Sequence, residues 1–136
     1  MPQTEVIFCK DDDGKVPVFE WLQTLKKENR RAFAKCVVRL RRLAEVGHDL
    51  RRPEADLLRA EICELRAKLG RVQYRILYFF HGRKRAVLAH ALTKKDLVPD
   101  ADIDRAVGRK KAFREDPNGH SHYQGDLGDG SDTRRD

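Results

Sequence analysis

The stretch RVQYRILYFF, residues 71–80, sets an arginine, Arg75, between Tyr74 and Ile76 in the most strand-like run of the chain. A cation there is costly to bury without a partner. Alternation along a strand puts Gln73, Arg75, Leu77 and Phe79 on one face and Val72, Tyr74, Ile76 and Tyr78 on the other. The preceding run EICELRA, residues 61–67, puts Ile62, Glu64 and Arg66 on one face. A short KLGR link makes the two runs arms of a hairpin, so Arg66 and Arg75 can share the face that the helices leave open. Two adjacent guanidiniums repel unless an anion lies between them, and a planar bidentate donor suits phosphate. The same pattern equally allows a cross-strand ion pair between Arg75 and Glu64. Residue order leaves both readings open.

A third run, LAHALTKK at 88–95, adds His90 within a strand and Lys94 and Lys95 where it ends. Strand ends and loops are where site residues concentrate. A strand histidine is as readily a satisfied core or edge residue, and a Lys-Lys pair alone carries little. Together with Arg66 and Arg75 they would make a cationic patch on one sheet face. The chain offers no Gly-rich phosphate loop, no Ser or Cys with a plausible His partner, and no metal-ligand spacing. His120 and His122 fall in a Gly/Asp/Ser-rich tail. No metal or cofactor is expected.

Elements able to position these groups follow in order. EVIFCK, residues 5–10, reads as a strand closed by the Asp11-Asp12-Asp13-Gly14 turn. Pro17 suits the first turn of a helix in which Val18, Trp21, Leu22 and Leu25 recur at helical spacing. A second helix is expected from about Glu28 to Glu45, with Phe33, Val37, Leu40 and Ala44 on one face. Arg31, Lys35, Arg39 and Arg42 form a basic stripe opposite, by default a solvated face, and Gly47 can cap its end. Three strands follow, 61–67, 72–80 and 85–92, joined by links short enough for antiparallel hairpins. A last helix should span about 100–114 and carry Ile103, Ala106 and Val107. The expected architecture is therefore α+β, a small antiparallel sheet in the order β-α-α-β-β-β-α with helices packed on one face.

With 136 residues the chain fits one domain. Residues 1–115 form the expected domain and 116–136 a disordered acidic tail. The whole chain carries a formal net charge of +7; residues 116–136 hold five Asp and two Arg, leaving 27 Lys and Arg against 17 Asp and Glu, net +10, in 1–115. Such a domain is drawn to polyanions, nucleic acid above all. No apolar run is long enough to cross a membrane, and no secretory leader is visible. Cys9, Cys36 and Cys63, widely spaced and odd in number, suit reduced thiols in a cytoplasm.

The pieces "ELR…G…YRILYFF…L.H….KK" over 64–95, after "P..EWL..L" at 17–25, resemble the RelE/ParE toxin superfamily, closest to its phage-derived, HigB-like host-inhibition branch. The likeness spans roughly residues 5–114. It implies a RelE-like α+β fold and, for many members, metal-independent cleavage of mRNA in the ribosomal decoding site. It also implies an adjacent antitoxin, here expected to be a helix-turn-helix protein, that silences the toxin. ParE-type relatives instead inhibit DNA gyrase, so fold does not settle function.

By position, Arg75 matches the strand arginine that family ribonucleases set on the scissile phosphate. Lys94 and Lys95 match the basic pair after the last strand, and Arg66 a second basic strand position. Ile62 and Glu64 stand where some members have lysines, and Asp-Leu-Val-Pro-Asp follows Lys95 where others have a tyrosine or histidine. The expectation is a type II toxin acting as an endoribonuclease on mRNA at the ribosome, with Arg75, Lys94, Lys95 and His90 catalytic. Arg66, Gln73, Arg31 and Lys35 would hold RNA phosphates. The alternative is a non-catalytic binder of the same fold that inhibits gyrase or the ribosome.

Overall fold

The computed structural model of the protein describes residues 4–94 and 97–123, with Lys94 described through its backbone. The elements run β1 (Glu5–Cys9), α1 (Pro17–Glu28), α2 (Arg30–Val46), a 3₁₀ turn (Gly47–Asp49), β2 (Ala55–Leu57), β3 (Cys63–Leu69), β4 (Val72–Phe80), β5 (Arg85–Lys94), α3 (Asp100–Glu115) and β6 (Ser121–His122). Local chemistry explains several boundaries. Pro17 opens α1, where its missing N–H costs nothing. Asn29 ends α1 and caps α2, its side chain accepting from the Ala32 N–H at 3.1 Å. Gly47 ends α2 at a φ of 60°, and a Cβ there would lie 2.3 Å from Thr4 Oγ1, so the position demands glycine twice over. β3 begins two residues later than expected, because Ala60 and Glu61 take positive φ in the preceding turn.

The α+β class holds, in a six-stranded sheet of order β2-β3-β4-β5-β1-β6. It departs from the expected architecture in three ways. The sheet is mixed, since β1 pairs parallel with β5. Short β2 and β6 extend it at its two edges. The helices occupy both faces: α1 and α2 bury Leu22, Phe33 and Leu40 with Leu65, Ile76 and Leu88. On the opposite face α3 buries Ile103, Ala106 and Phe113 with Ile7, Leu77, Phe79 and Val87. The reason lies in β4, which is apolar on both sides, so one helical layer would leave Leu77 and Phe79 wet.

Residues 117–123, expected to belong to a disordered tail, are structured. Lys10 N–H donates to the His120 carbonyl, Phe8 pairs with His122, and the His122 ring packs on Phe8 and Phe19. Backbone pairing with an exposed edge orders a segment that composition alone marks as unfolded. The remainder of the expected tail, 124–136, lies outside the described residues. No helix among the described residues is long and apolar enough to cross a membrane.

Candidate nucleic-acid interface

Pairing across the sheet decides which side chains meet. Arg66 stands directly opposite Arg75, and Glu64 opposite Leu77. β5 continues the rows, with Leu92 beside Arg75, His90 beside Leu77 and Lys94 beside Gln73. β2 sets Asp56 beside Glu64. Residues in register share a face, so Asp56, Glu64, Arg66, Gln73, Arg75 and His90 all lie on the α3 side.

Arg75 is not solvent-facing: it is 7% exposed and its Nη1 donates to Glu64 Oε2, itself on a residue 1% exposed. The other oxygen of Glu64 accepts from Arg66 Nη2 at 3.3 Å, and the same nitrogen reaches Asp56 Oδ2 at 3.3 Å. Arg52 binds Asp56 in turn. The anion between the two guanidiniums is thus the protein's own carboxylate, as burial requires. Glu64 does not saturate them, for Nε of Arg66 and Nε of Arg75 are buried with no hydrogen-bond partner among the described residues. Arg66 keeps 29% of its side chain exposed and is the member of the pair that reaches solvent. The Asp56 carboxyl is held below the usual carboxylate range, foremost by its hydrogen bond from Arg52.

His90 is anchored at both ring nitrogens. Nε2 lies 2.7 Å from Asp102 Oδ1, and Nδ1 lies 3.1 Å from Arg109 Nη1. A guanidinium only donates, so Nδ1 accepts and Nε2 carries the proton toward Asp102. Arg109 also bonds the Ala89 carbonyl and Asp11. Burial pushes the imidazole pKa down, with Asp102 working against it. These partners give His90 a structural role, tying α3 to β5. Asp102, Ala106, Arg109 and Phe113 share one face of α3. Two polar residues on an otherwise core-facing stripe were the available signal for this network.

The other candidates are spread further. Gln73 lies between Lys68 and Lys94 in register, at the end of the face away from Phe79. The Lys94 backbone sits there in β5, and Lys95 lies outside the described residues. Arg31 and Lys35 are exposed on α2, which packs against the opposite face, so the fold does not bring them to Arg66 and Arg75. From the same basic stripe, Arg39 and Arg42 instead clamp Glu54, whose pKa is lowered mainly by its hydrogen bond to Arg42.

The fold and face define a small basic α+β domain with a guanidinium pair embedded in its sheet. A family model described as phage derived protein Gp49-like (DUF891) matches residues 20–111. The chain belongs to this phage-derived Gp49-like family, which is RelE/toxin-like. No curated protein matches it.

Proposed function

We propose that the chain is the toxin of a type II toxin–antitoxin pair, of the HigB-like branch, acting as a metal-independent endoribonuclease on mRNA at the ribosome. The observation that carries this reading is the Arg66–Arg75 pair. The two residues stand directly opposite on one sheet face, share the Glu64 carboxylate, and each keeps a buried Nε with no hydrogen-bond partner among the described residues. The net charge of +10 in residues 1–115 supports RNA as the target, and family membership supports toxin-like character. A helix-turn-helix antitoxin and a cytoplasmic setting follow from the same reading.

In this mechanism a ribose 2′-oxygen attacks the adjacent phosphorus and gives its proton to a base. The bond from phosphorus to the 5′-oxygen breaks, and that oxygen takes up a proton. The products are a 2′,3′-cyclic phosphate and a 5′-hydroxyl. Arg66, partly exposed, stabilises the charge growing on the phosphorane oxygens. Arg75 acts first as a positioning residue, fixing Glu64 and through it Arg66, and contacts phosphate only by exchanging Glu64 for it. Lys94 or Lys95 is the better proton carrier, since the ring nitrogens of His90 are both engaged. Gln73, in register with Lys94, extends the phosphate track.

The test is induced expression with mapping of mRNA 5′ ends, followed by cleavage of free RNA or pre-assembled stalled complexes with a chelator present. Cyclic or 3′-phosphate ends formed despite the chelator are expected. Ends bearing a 3′-hydroxyl, formed only without chelator, would overturn the mechanism. A second reading, a non-catalytic binder of gyrase or the ribosome, is favoured by the closed Arg75–Glu64 pair. Growth arrest with intact mRNA would select it.

A further inference from the structure

A cavity of about 810 Å³ lies between the 47–57 segment, the Cys63 and Phe80 ends of β3 and β4, and Arg114 at the end of α3. That is within the usual ligand-pocket range of roughly 300–1,000 Å³. Aromatic rings form one wall. The His48 ring stacks on Phe80 with centroids 3.6 Å apart and planes 20° apart, and Tyr78 meets Phe80 edge-on at 5.7 Å. Leu57, 65% exposed, adds apolar surface to the lining.

Three arginines line the cavity, and they are not equivalent. Arg52 is committed to Asp56 and Arg114 to Glu61. Arg51 donates to the carbonyls of His48 and Leu50 and has no carboxylate partner among the described residues. The His48–Phe80 stack beside a guanidinium with no carboxylate partner among the described residues matches a planar base carrying a phosphate. Stacking of this kind tolerates any base, because every base has a π-face.

We propose that this cavity is a nucleotide subsite, which takes one nucleobase against the His48–Phe80 stack and the attached phosphate on Arg51. The inference shares with the reading above only nucleic acid as the ligand. It stands whether or not the chain cleaves RNA.

Burial pushes up all three thiols, those of Cys9 and Cys36 to about 12, but of the three only Cys63 lines the cavity and it is half-buried where the other two are buried. Alkylation of Cys63, followed by mass spectrometry on the full chain, therefore reports occupancy. The probes are adenosine monophosphate and a single-stranded RNA of about six nucleotides. Saturable protection of at least about fivefold is expected. R51Q should raise the half-protecting concentration about tenfold, and F80L should weaken protection with Arg51 intact. Protection by the mononucleotide would assign a self-sufficient site, and protection by RNA alone a subsite along a strand; either supports the proposal. No protection while the RNA still binds the chain, read by fluorescence polarisation, would overturn it and leave the reading of Arg66 and Arg75 untouched. Equal protection of wild type and R51Q by benzyl alcohol, with none by either nucleotide probe, would also overturn it, marking a seat for an apolar protein side chain.

Discussion

Replacing Arg75 by alanine removes the Nη1 donor from Glu64, a carboxylate on a residue 1% exposed. Breaking a buried pair from one side costs about 3–5 kcal/mol, because an uncompensated charge stays behind. Arg66 still reaches Glu64 at 3.3 Å, which places the expected loss at the low end, about 3 kcal/mol. At about 3–4 °C per kcal/mol for a domain of this length, the thermal midpoint should fall by about 10 °C. The loss is a large share of a stability that is typically about 5–15 kcal/mol. Urea unfolding followed by circular dichroism measures it. A cycle of E64Q, R75A and the double variant should show coupling of at least about 1 kcal/mol. An unchanged midpoint in R75A, with native secondary structure, would refute the reasoning by showing that Arg75 faces solvent and owes nothing to Glu64. Loss of toxicity in R75A counts as evidence for the site only if R66A, whose partners Glu64 and Asp56 keep Arg75 and Arg52, loses it with a smaller drop in midpoint.

The two tethered histidines should titrate in opposite directions. Burial lowers the His90 pKa, so its contribution to stability is full above about 6.5 and is lost as pH falls below that value; Asp12 raises the His120 pKa, so its contribution is full below about 6.5 and fades as pH rises through the folded value. Imidazole proton shifts in NMR should therefore bracket 6.5, with both midpoints on one side counting against the assignments. Ending the chain at Asp116 should cost about 1–2 kcal/mol by removing β6 and the His122 contacts with Phe8 and Phe19, whereas ending it at Tyr123 keeps them; equal midpoints for the two truncations would show that β6 contributes nothing. Replacing Lys94 and Lys95 together should flatten the salt dependence of RNA binding by about two in log–log slope, near one per phosphate contact. An unchanged slope would remove that pair from the RNA track.

Much of the fold was legible along the chain because it rests on local periodicity. The 3.6-residue spacing of Val18, Leu22 and Leu25, and the two-residue alternation through 72–80, each dictate an element whatever surrounds it. Strand alternation likewise placed Glu64, Arg66 and Arg75 on one face. The elements that went unread have little pattern of their own: β2 has three residues, β6 has two, and both exist because a sheet edge offers them backbone partners. Residue order could not decide between an anion site and an ion pair at Arg75. That choice depends on the β3–β4 register and on how deeply the face is covered, and both are set by long-range packing. Glu64 settles it, because a guanidinium this buried must be neutralised by the nearest carboxylate. The fate of His90 is likewise tertiary: Asp102 and Arg109 lie 12 and 19 residues along the chain and reach its ring only because α3 folds back over β5.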